Sequence, residues 1–114
     1  MSGIFEVGFK MKKFIDEWEK WAEKIAIAAK EILGECEVYV FGSVVEGKAT
    51  GGSDVDILII CDKVPKKGKD RADIIVKIEE LANLPLFHPF EIHVIDKREA
   101  DWYWKHIKKA VRIR

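Results

Sequence analysis

FGSVVEGKATGGSDVDILII, residues 41–60, sets a Gly-Ser pair a fixed distance ahead of an Asp-x-Asp that runs straight into an apolar stretch. Side chains alternate faces along a strand, so Asp54 and Asp56 are expected on one side of it. Two like charges that close repel, and each favours protonation unless a cation neutralises them. The continuation ILIIC is apolar on both faces and reads as a strand central in a sheet. A solvated acidic turn explains neither the shared face nor the buried continuation. A divalent-metal site explains both, and hard oxygen ligands favour Mg²⁺.

The segments around this stretch supply the rest of a site. CEVYVFGS reads as a buried strand that ends at Gly42 and Ser43, and VVEGKATGGS, with three glycines, reads as a loop. Gly42 permits a sharp turn that exposes backbone N–H groups, and Ser43 adds a hydroxyl; such a nest suits an anion. A Gly-Ser pair alone is ordinary turn chemistry and gains weight only from the Asp-x-Asp downstream of it. Ten residues separate Ser43 from Asp54, enough for the chain to loop back beside the first strand. In PFEIHVID, read as a third strand, Phe90, Ile92 and Val94 share one face, and Glu91, His93 and Ile95 share the other. A buried Glu needs a partner. Two metal ions shared with Asp54 and Asp56 provide one, an arrangement suited to in-line phosphoryl or nucleotidyl transfer. Asp96 suits the N-cap of the next helix. His93 is placed as a support or packing residue, because Mg²⁺ prefers oxygen.

Together these parts resemble the signature of the polymerase-beta-like nucleotidyltransferase superfamily: Gly-Ser, a short loop, Asp-x-Asp in an apolar strand, and a carboxylate in a later strand. The length resembles that of its minimal nucleotidyltransferases, so the whole chain, 1–114, is read as one such domain. The resemblance implies that Gly42 and Ser43 hold the phosphates of a nucleoside triphosphate, with Lys48 and Ser53 as further nucleotide-binding candidates. It implies that Asp54, Asp56 and Glu91 are the catalytic and metal-binding carboxylates. The cofactors it implies are two Mg²⁺ ions, with ATP or another NTP as substrate. It also implies a protein partner, a HEPN-type helical protein modified on a tyrosine within a toxin-antitoxin pair, or else a homo-oligomer. One departure stands out. Many relatives carry Arg where this chain has Glu46, and a carboxylate cannot neutralise phosphate. Lys48, or the basic turn with Lys63, Lys66, Lys67 and Lys69, is the available substitute. The alternative reading is a non-catalytic nucleotide-binding or partner-masking subunit with the same fold.

The remaining features bound the class. At 114 residues and 48% apolar, the chain makes one domain with a modest core. Residues 10–33 carry an apolar stripe at helical spacing that stops at Gly34, and Trp18 and Trp21 are expected in the core. A second stripe runs from Asp70 to Asn83, and KREADWYWKHIKKAVRIR is expected to be a final helix through residue 114. The order helix, strand, loop, strand, helix, strand, helix is that of an α/β or α+β domain with a small mixed sheet flanked by helices. Cys36 and Cys61 are expected as reduced core thiols. Trp102, Tyr103, Trp104 and His106 are too many aromatics to face inward together, and suggest a partner or base-stacking surface. The basic tail from Lys105 to Arg114 suits a helix C-terminus. Twenty basic and twenty acidic residues cancel, so net charge gives no argument for nucleic acid. No apolar run approaches the ~18 residues that span a membrane. The start shows no secretory leader, so the expected compartment is the cytoplasm. High Lys and Glu, one Asn and no Gln fit a thermophile protein.

Overall fold

The apolar half of the 41–60 stretch forms the second strand of a four-stranded sheet in the computed structural model, which describes residues 11–50 and 52–114. The strands are β1 (Cys36–Phe41), β2 (Val55–Cys61), β3 (Phe90–Asp96) and β4 (Ala110–Arg112), in the order β3-β2-β1-β4. β2 lies antiparallel to β1 and parallel to β3, and β4 lies antiparallel to β1. The sheet is therefore mixed and flanked by helices. The reading of the first residues as lacking a leader concerns residues outside the described part.

Helix α1 (Trp18–Leu33) follows helical residues 11–16 after a turn at Glu17, and it ends at Gly34, whose φ of 79° no β-branched residue adopts readily. It buries Ile25 and four alanines, Ala22, Ala26, Ala28 and Ala29, a set of small side chains that lets the helix approach the sheet closely. With α3 (Gly68–Leu81) it covers one face of the sheet, burying Val38, Val40, Val55, Ile57, Ile59, Ile92 and Val94. Each of these large side chains contributes about 1.5–3 kcal/mol through removal from water. Phe14 and Trp21 close this layer against Phe90. Cys36 and Cys61 face each other across β1 and β2 as buried free thiols; the Cys36 sulfur and burial push the Cys61 thiol up.

Among the described residues, the opposite face is covered at one end only. There α4 (Lys97–His106) packs Ala100 and Tyr103 over Leu58, Ile60 and Ile95. Asp96 caps this helix as the spacing predicts: its carboxylate accepts the Glu99 N–H at 2.9 Å, and Glu99 accepts the Asp96 N–H in return. Arg71 of α3 then ties the two layers together. It donates to the Pro65 carbonyl at 2.6 Å and to the Glu99 carboxylate at 2.8 Å. Arg71 holds the Glu99 carboxyl below the usual carboxylate range. A group so depressed contributes stability above its unfolded pKa and loses it as pH falls through the folded value. Glu99→Gln keeps the cap but removes the charge, and is expected to cost about 1 kcal/mol at neutral pH, a figure held down by solvent screening of this partly exposed pair. Urea denaturation should show that difference closing as pH drops below about 4.3.

Two expectations are corrected. Residues 44–53 are not loop throughout, because a short helix α2 (Ser43–Glu46) follows Gly42 directly. The final helix stops at His106, not at residue 114: Ile107 is extended, and the alternation in AVRIR then serves as β4. Ile113 and Arg114 exchange backbone hydrogen bonds with Val38, and Arg114 also pairs with Glu23. Of the basic tail, only Lys105 and His106 lie in the last helical turn, so Lys108, Lys109, Arg112 and Arg114 do not serve its dipole.

Candidate active site

Where α4 stops, the described residues leave the sheet face open, and polar residues from β2 and β3 lie there. The parallel register sets Asp56 directly beside Glu91 and Leu58 beside His93; on the other side Asp56 faces Phe41. Asp56, Glu91 and His93 thus share the face that α4 covers further along, and their donor atoms lie within 4.8 Å of one another. His93 Nε2 stands 4.0 Å from Asp56 Oδ1 and 3.7 Å from Glu91 Oε1. The three groups line a recess of about 380 Å³ with Phe41, Gly42 and Glu46 on one side and residues of α4 and the segment after it on the other.

Local structure explains how each residue is held. β2 is buried between two strands, so Asp56 is carried on a rigid frame while its own side chain stays one quarter exposed. The entry to β3 is pinned by His88, which binds Glu79 through Nε2 and accepts the Phe90 N–H at Nδ1, 3.1 Å away. Glu91 comes immediately after. Gly42 approaches Asp56 so closely that a Cβ there would sit 2.3 Å from Asp56 Oδ2, and its φ of 89° with ψ of −160° belongs to glycine. The carboxylate therefore occupies the space a side chain at position 42 would take. Two carboxylates and an imidazole, in a pocket kept open by a glycine, make a donor set that fits a divalent ion.

The other expected site residues are more dispersed. Asp54 is exposed, one residue before β2, and is not among the three converging groups. Ser53 is engaged in a turn, its Oγ accepting the Thr50 N–H at 2.8 Å. Ser43 opens α2 beside Gly42. Lys48 is exposed, 3.9 Å from Glu46. The basic turn does not reach the recess: Lys63 and Lys66 line a separate depression with Asp62 and Arg98. The apolar neighbours of Glu91 predict a buried carboxylate, yet it is exposed at the open end of the sheet.

Two features of the site lie outside the expected set. His93 joins the carboxylates; its shared face with Glu91 is visible in the alternation, but its distance to Asp56 depends on strand register. Lys108 lines the recess as a cation, which results from the early end of α4. The aromatic residues of α4 divide as their number requires. Tyr103 packs into the core and meets His93 at 5.8 Å between rings, Trp104 lies edge-on to Tyr39, and Trp102 is 59% exposed and stacked on His106. Burial pushes the Tyr103 phenol up.

Comparison with known proteins agrees with this fold. A family model described as a nucleotidyltransferase domain matches residues 22–114. A crystal structure of a candidate nucleotidyltransferase is 30% identical, with 77% of this chain and 91% of that chain covered and a TM-score of 0.61. A second, from Sulfolobus solfataricus, shares the fold at 23% identity and a TM-score of 0.62, with 95% of this chain and 83% of that chain covered. No curated protein matches. Among the described residues, no helix is long and apolar enough to cross a membrane. With the matched span running from α1 through the recess to β4, the chain belongs to the nucleotidyltransferase domain family.

Proposed function

We propose that this protein transfers a nucleoside monophosphate, AMP from ATP in the first instance, to an acceptor hydroxyl with release of pyrophosphate. The observation that carries this is the convergence of Asp56, Glu91 and His93 at the open end of the sheet in a chain of this family. Asp56 and Glu91 hold divalent ions, with Asp54 joining them from the exposed residue before β2. Bound there, such ions, Mg²⁺ as the reference case, neutralise the phosphates and the charge that develops on transfer. Gly42 and Ser43 seat the phosphates, and Lys108 supplies a cation on the far wall of the recess. Glu91, more exposed than Asp56, either helps hold the ion that activates the acceptor hydroxyl or accepts that hydroxyl's proton at an Oε atom. The recess is too small and open to enclose a large acceptor, so that hydroxyl is supplied by another molecule; the resemblance points to a tyrosine on a HEPN-type helical partner.

Glu46 supports a second reading, a subunit that binds nucleotide and masks a partner without catalysis, because it lines the recess at the position where the resemblance implies an Arg. Labelled ATP separates the two. Incubation with candidate acceptors is expected to leave label from the α-phosphate, and none from the γ-phosphate, on the acceptor. Nucleotide binding without any α-label transfer favours the masking subunit.

A further inference from the structure

The proposed transfer uses the two carboxylates of the cluster and leaves the imidazole unassigned. His93 Nε2 faces both carboxylates at 4.0 and 3.7 Å, longer than a hydrogen bond to either. Donor atoms held 2.0–2.2 Å from one ion stand about 3–4.4 Å apart, so these separations suit shared ligation. The ring is also held in place: it sits 6.0 Å from the Phe41 ring and 5.8 Å from the Tyr103 ring, and only about a quarter of it is exposed. Two aromatic walls and a fixed strand position limit it to the end of the sheet where Asp56 and Glu91 lie.

Imidazole nitrogen is a borderline donor. Mg²⁺ takes oxygen and keeps its waters, whereas the divalent first-row transition ions accept mixed nitrogen and oxygen sets. Resting on the assignment of Asp56 and Glu91 as metal ligands, we infer that His93 is a third protein ligand through Nε2, and that this position selects a divalent transition ion over Mg²⁺. His93 then acts as a specificity determinant for the metal rather than as a packing residue.

The test uses the full chain, freed of metal and titrated with Mn²⁺ alone or Mg²⁺ alone. Pulsed electron paramagnetic resonance of the Mn²⁺-loaded wild type is expected to show histidine nitrogen coupled to the ion, and His93→Asn and His93→Asp to lose it. Calorimetry is expected to show Mn²⁺ binding weakened about tenfold or more in His93→Asn. Mg²⁺ binding should shift by less than about twofold. His93→Asp keeps an ion ligand at the position, so Mn²⁺ binding retained there without nitrogen coupling cannot be ascribed to unfolding. Absent coupling in the wild type, coupling that persists in both variants, or equal weakening of the two ions overturns the assignment. If Mn²⁺ binds with oxygen ligands only, His93 is excluded while the nucleotidyl-transfer reading stands. If neither ion binds the wild type, both fall.

Discussion

Asp56→Asn is expected to weaken metal-dependent nucleotide binding severely while leaving the fold intact. The side chains are nearly isosteric, and Asp56 is carried by β2, whose buried residues Val55, Ile57 and Leu58 are untouched by the change. What is lost is a charge. Without it the remaining cluster offers one carboxylate and one imidazole, and metal affinity should fall by about 10–100-fold. Transfer should fall by about 10²–10³-fold, the scale set by removing one preorganised electrostatic group from a reacting centre. The stability effect has the opposite sign. In the metal-free protein Asp56 and Glu91 are direct neighbours across β2 and β3, and neutralising one relieves their repulsion. The metal-free Tm should hold or rise by a few degrees. Asp54→Asn should weaken metal binding less, because Asp54 is exposed and stands outside the converging group. Calorimetric metal titrations with parallel thermal melts check both signs. Equal metal affinity in Asp56→Asn and wild type would remove Asp56 from the site.

Gly42→Ala is the second large effect, and it acts through space rather than charge. The added methyl would meet Asp56 Oδ2 at 2.3 Å and Cγ at 3.3 Å, so the carboxylate must move. The backbone at φ 89° and ψ −160° adds about 1–3 kcal/mol of strain for any residue with a Cβ. Stability and metal affinity should fall together, the latter by about tenfold or more. Gly34→Ala is the matched control. It has φ of 79° but nothing within 4 Å of its Cβ, so it should lose stability and keep full metal affinity. If Gly42→Ala lost stability alone, as that control should, Gly42 would be a turn residue and nothing more.

Much of this arrangement is readable in the sequence, for reasons that differ by residue. The apolar run after Asp56 identifies a central strand because it is too short for a helix and rich in Ile, and a strand that buries consecutive residues is covered on both faces. Asp96 is readable as a cap because its signal is local, three residues from Glu99. The end of the last helix is not. KKAVRIR carries helix-compatible charges, and a three-residue edge strand has too few alternations to stand out; its pairing with β1 supplies what its periodicity lacks. The place of Lys108 at the recess is hidden for the same reason. His93 shows another limit: alternation puts it on the face of Glu91, but its closeness to Asp56 rests on the parallel register of β2 with β3, which no single strand reveals. Asp54 shows the converse. Period-two alternation pairs it with Asp56 only if the strand reaches it, and the strand begins at Val55.

The most direct test of a metal-dependent nucleotide site at Asp56 and Glu91 is a calorimetric titration of ATP into the protein, with and without Mg²⁺ or Mn²⁺. It should be run on the wild type and on Asp54→Asn/Asp56→Asn. Binding that needs the divalent ion and disappears in the double variant is the predicted result. Binding that persists in the double variant, or no binding by the wild type under any metal condition, would contradict it.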